Sequence, residues 1–154
     1  METSIRKIIF SMQKIDIQYG AAIIAAPLFC FLYITLFEQQ PLDLETLPSN
    51  IKSLFFLIVF YPVIEELAFR GVIQEYIASK TKQYPSFFFF TVANIMTSVL
   101  FVLMHFVHHT PLWALLVFVP SLIFGYFKDQ YNNIAPSIFL HMFYNFCSVF
   151  MIVS

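Results

Sequence analysis

Apolar residues in this chain gather in long runs, with the polar residues mostly between them. Runs near ~20 residues, enough to cross a bilayer core as a helix, fall at five places. They are Ile17 to Phe37, Ile51 past Tyr61 as far as Glu65, Ser86 to about Phe106, Leu112 to Phe127, and Ile134 to Val153. Pro41, Pro48, Pro85, Pro111 and Pro136 lie at or near the junctions, where a missing N–H costs little. Pro62 and Pro120 fall inside runs and predict kinks there. The tetrad Phe87 to Phe90 reads as a lipid-facing or interfacial patch, and no internal repeat or low-complexity linker is present. The pattern predicts an all-α, polytopic transmembrane helix bundle of about five spans.

Composition narrows this further. Of 154 residues, 60% are hydrophobic and 11% are charged, against roughly 25% charged in soluble domains. So little charge cannot cover a soluble surface, and the length suits one compact unit. The expected organisation is a cytoplasmic segment at 1–16, a first span at 17–37, and a four-helix core at 51–153. The first run is read as a retained span. Its small residues Gly20 to Ala22, Ala25 and Ala26 lie at the wrong end for signal cleavage. Cys30 and Cys147 both lie in apolar runs and are expected as small hydrophobes rather than a disulfide. A net charge of −1 with no basic run gives no reason to expect a nucleic-acid partner. Arg6, Lys7, Lys14, Lys80, Lys82 and Lys128 alternate with the Lys- and Arg-free segments at 38–50 and around His108 and His109. That alternation predicts a cytoplasmic N-terminus and an outward C-terminus.

Against this background the stretch "YPVIEELAFRG", Tyr61 to Gly71, is anomalous. An ionisable side chain at mid-bilayer costs on the order of 2.5–3.5 kcal/mol on insertion scales and needs a partner or a wet cavity. Glu66 and Arg70 are four apart with the glutamate first, the better order for a helical pair. Glu65 is rotated by about 100° from Glu66 and requires a partner from another helix. Downstream, "FVLMH" places Phe101 one turn before His105, with Asn94 and Ser98 on roughly the same stripe, and "HMFYN" sets His141 and Asn145 four apart. These groups could be interhelical glue. Together, Glu65, His105, His141 and Asn145 also supply what water activation and oxyanion stabilisation require, which points to hydrolysis of an acyl bond. One tension follows from the span limits. At 1.5 Å per residue His105 lies about 28 Å from the inner edge and His141 about 10 Å. Sharing one water requires that the third helix enter the lipid after "SFFFF", or that the fifth start near Asp129.

The three segments resemble the motifs of the CPBP family of CAAX-protease and bacteriocin-processing membrane proteins. "EELAFRG" is similar to its EExxxR motif, "FVLMH" to FxxxH and "HMFYN" to HxxxN, in that order, across about Ile51 to Ile152. The resemblance implies core helices around an intramembrane polar cavity and a glutamate-dependent intramembrane endopeptidase without metal or cofactor. By motif position, Glu65 and His105 would activate the attacking water, and His141 and Asn145 would form the oxyanion hole. Glu66 and Arg70 would hold the first motif in place. The implied substrate is a membrane-embedded or lipid-anchored protein or peptide, and the implied location is the cell's inner (plasma) membrane. Competing readings are a zinc-dependent membrane metalloprotease built on His105, His108, His109 and His141, a non-catalytic membrane protein such as a bacteriocin-immunity factor, and a proton-coupled transporter. Absence of HExxH counts against the first, and absence of repeat symmetry against the last.

Overall fold

A computed structural model describes residues 2–36 and 51–152, with side chains described at 16–36 and 51–149. Expectations for the side chains of Arg6, Lys7 and Lys14, and for the acidic segment at 38–50, lie outside these residues. Helices joined by short turns make up the described chain. Helix α1 is Glu2–Leu36. Helix α2 is one continuous run over 51–81, in which α-helical Ile51–Phe55, Tyr61–Glu66 and Glu75–Thr81 alternate with π-helical Phe56–Phe60 and Leu67–Gln74. Helices α3 (Val92–His105), α4 (Pro111–Tyr131) and α5 (Ala135–Ile152) complete it.

The two internal prolines sit where the helices change. In α4 the turn breaks at Val117, between Pro111–Leu116 and Phe118–Tyr131. Pro120 lacks the N–H that would reach the carbonyl of Leu116, which is where the first part ends. In α2, Pro62 lies where the π-helical Phe56–Phe60 returns to α-helix.

The third helix starts later than the hydropathy indicates. It begins at Val92, not Ser86, because Thr91 caps it, its hydroxyl accepting from the Asn94 N–H at 3.0 Å. Phe87 and Phe90 instead exchange backbone hydrogen bonds of 2.9 and 3.0 Å in a tight turn, with Phe88 at φ 55°. Phe87, Phe88 and Phe89 are exposed. Such a turn meets the backbone's own hydrogen-bonding needs locally.

Outside and inside are inverted relative to a water-soluble domain. Ile24, Leu103, Val119 and Phe139 are exposed, while Glu66, Arg70, Gln74, Asn94, Ser98, Ser121 and His141 are buried. Asp16–Leu36 and Pro111–Tyr131 are each 21 residues and apolar enough to cross a membrane. Small residues bring α1 close, as is usual between membrane helices. Ala22 packs with Phe124, Phe127 and Leu140, and Ala26 packs with Cys30 and Cys147, which are free thiols. Tyrosine hydroxyls tie the same helix down. Tyr19 donates to the Pro136 carbonyl, Tyr144 to the Ala22 carbonyl and Tyr126 to Gln18 Oε1, at 2.8–2.9 Å.

Candidate active site

The stretch Tyr61–Gly71 of α2 presents three ionisable side chains, and they meet different fates. Glu66 and Arg70 are fully buried, with Arg70 Nε 3.3 Å from Glu66 Oε2. That is ion-pair distance without the alignment of a hydrogen bond. Arg70 finds its aligned partners elsewhere. Nη2 donates to the Ser121 hydroxyl at 2.6 Å and the Ser121 carbonyl at 2.9 Å, and Nη1 donates to Gln74 Oε1 at 3.2 Å. Gln74 Nε2 in turn donates to the Gly125 carbonyl at 3.1 Å and to Asp129 Oδ1 at 2.8 Å. The hydroxyl of Thr91 donates to the other oxygen of Asp129, and Lys128 pairs with Glu75 beside it. A polar spine thus leads from Glu66 through Arg70 and Gln74 to the end of α4.

Glu65 stays apart from that spine, with a side chain 35% exposed. Its partner from another helix is His141 of α5, whose Nε2 lies 3.6 Å from Glu65 Oε2. The other nitrogen, Nδ1, lies 3.0 Å from Glu66 Oε1. A carboxylate only accepts, so Nδ1 carries the proton of that bond. His141 therefore joins the two adjacent glutamates. Burial leaves the charges little water to share, so this close pairing is what makes them tolerable.

His105 ends α3 one turn beyond Phe101. Its Nδ1 lies 2.9 Å from the Phe101 carbonyl. A carbonyl cannot donate, so Nδ1 is the protonated nitrogen and Nε2 of the neutral ring holds the lone pair. The Phe101 ring lies 4.4 Å from the His105 ring and 5.9 Å from the His141 ring, so it lies against both histidines. Phe69 packs edge-on against Phe101 at 4.9 Å, and Phe124 stacks on His141 at 5.0 Å. With α3 starting at Val92, His105 lies about 20 Å along its helix, against about 9 Å for His141 in α5 from Ala135, so the later start removes about 8 Å of a mismatch of about 18 Å.

Asn145 lies on the same helix as His141 and donates from Nδ2 to the backbone carbonyl of Leu57 at 2.9 Å. Asn94 and Ser98 form the expected seam, Ser98 donating to Asn94 Oδ1 at 3.2 Å and Asn94 Nδ2 to the Leu122 carbonyl at 2.9 Å. His108 and His109 are exposed in the turn after α3, with the His109 ring 5.5 Å from that of His105. Among the described residues, no three His, Cys, Asp or Glu side chains are placed together to hold an ion.

Residue type alone did not single out Ser121, Gln74 or Asp129. Gln74 carried the one available signal, since it lies four residues beyond Arg70 and eight beyond Glu66 on the polar side of α2.

A model of the family described as Rce1-like, type II CAAX prenyl endopeptidase, matches residues 47–147. That stretch carries all three motifs and leaves out the described part of α1. No curated protein and no solved structure matches the chain.

Proposed function

The chain belongs to the Rce1-like family of type II CAAX prenyl endopeptidases, and from that premise we propose that it is a glutamic-type intramembrane endopeptidase. Its substrate is a membrane-embedded or lipid-anchored protein or peptide. It spans the plasma membrane several times with its N-terminus in the cytoplasm. The observation that carries the mechanism is the division of the adjacent glutamates: Glu66 is sealed against Arg70, while Glu65 is partly open and faces an imidazole.

In this mechanism Glu65 takes a proton from the attacking water, and the lone pair on His105 Nε2 orients that water. The hydroxide adds to the scissile carbonyl. His141, from a proton on Nε2 while its Nδ1–H stays on Glu66, and Asn145, from Nδ2, donate to the oxyanion. The proton on Glu65 then passes to the leaving amine, so the base is regenerated and the peptide bond is hydrolysed. Glu66 and Arg70 hold the base's helix in place. Preorganised donors of this kind act mainly in the transition state.

The test is Glu65→Gln, which preserves size but cannot accept a proton. The purified parent is expected to cleave a farnesylated peptide ending in a CAAX sequence, or a single-span membrane peptide, and to keep doing so in a strong chelator. Glu65→Gln is expected to melt like the parent and to cleave neither. Activity lost on chelation and restored by zinc would establish a metalloprotease instead. Substantial cleavage by Glu65→Gln would refute both mechanisms.

A further inference from the structure

Asn145 reaches for a backbone carbonyl, and the backbone of α2 explains why that carbonyl is free. In the π-helical segment Phe56–Phe60, the N–H of Tyr61 donates to the carbonyl of Phe56, five residues back. The next rung of the same ladder would run from residue 62 to the carbonyl of Leu57. Residue 62 is proline, which has no N–H. The Leu57 carbonyl accepts instead from Asn145 Nδ2, 88 residues later in the chain. In lipid an unpaired backbone group is costly, so this carbonyl favours a donor from outside its helix.

We propose that Pro62 is a positioning residue for catalysis: by leaving the Leu57 carbonyl open, it anchors the carboxamide of Asn145. The inference rests on the reading of Asn145 as an oxyanion donor. Nδ2 carries two hydrogens. With one committed to Leu57, the planar amide loses its rotation and the second is held in a fixed direction. Pro62 is fully buried three residues before Glu65. The helix that supplies the base therefore also supplies the anchor for the oxyanion donor, and the two keep their spacing.

A double-mutant cycle of Pro62→Ala and Asn145→Ala tests this. Asn145→Ala is expected to melt lower than the parent, because the Leu57 carbonyl is left bare. Adding Pro62→Ala is expected to restore most of that loss, because position 62 regains an N–H for that carbonyl. If Asn145→Ala does not purify folded, its recovery on adding Pro62→Ala is the expected result, and no recovery overturns the proposal. With the farnesylated peptide, Pro62→Ala alone is expected to lower kcat on the order of tenfold with KM unchanged, since a small misplacement costs up to about 10²-fold. In the Asn145→Ala background it is expected to lower kcat no further. Equal effects of Pro62→Ala in both backgrounds, on melting and on kcat, would show that the proline acts only through the bend of its helix. The melting cycle needs no turnover. A parent that cleaves nothing would therefore refute the proposed protease while the coupling of Pro62 to Asn145 is still decided.

Discussion

Arg70 donates to Ser121 and Gln74 and lies beside Glu66, so its charge is shared among three side chains from two helices. Removing one partner from a buried pair leaves the other charge stranded, at a cost of about 3–5 kcal/mol. Glu66→Gln and Arg70→Leu are each expected to lower the melting temperature in detergent. Arg70→Leu should be the worse, because it also strips the donors from Ser121 and Gln74. Parent-like melting of both variants would refute the structural role of the pair. This much of the pair was visible in the sequence, since the four-residue spacing is fixed by the helix itself. The joint engagement of both glutamates by His141 was not, because it depends on how α5 is rotated and how deep it sits. Asn145 hid its partner for another reason: a backbone carbonyl has no letter in a sequence.

Among the helices, α4 lies close against side chains of α3 and α2 at Gly125. A Cβ there would collide with the carboxamide of Asn94 and lie 2.8 Å from Gln74 Oε1. Neither side chain is free to withdraw, for Asn94 is held by Leu122 and Gln74 by Asp129. Gly125→Ala is therefore expected to destabilise by about 1–3 kcal/mol, the usual range for overfilling a packed interior. Thermal melting beside Gly20→Ala, where a Cβ meets nothing within 4 Å, is the measurement, and equal melting of the two would refute the contact. Five apolar runs were enough to locate five helices but not their ends: α1 begins at Glu2 rather than Ile17, α2 continues past Glu65 to Thr81, and α3 begins at Val92 rather than Ser86. Hydropathy counts the rings of Phe87 to Phe90 without asking whether they are helical. The better signal was Thr91, a capping residue placed just before the polar stripe of Asn94 and Ser98.

Over the whole molecule, polarity runs inward and oil faces outward, as composition alone had required. That inversion explains why the candidate site was the most legible part of the chain. In a lipid-facing protein nearly every buried charge needs a reason, so the few present point to one another. The first helix has a different standing. It lies outside the matched stretch, yet Tyr19, Ala22 and Gln18 bond to residues more than a hundred positions away. Seen as a sequence of events on the ribosome, α1 is made before the other four described helices and docks chiefly against α5, the last of them to be made. It must wait in the membrane while the other four assemble, and independently inserted helices can associate afterwards. A covalent link across 37–50 is then a convenience of synthesis. Two separately expressed chains, divided within that segment, are expected to co-purify and to melt within a few degrees of the intact protein. Failure of the two chains to associate would mean that the first helix must be joined to the core before it can dock.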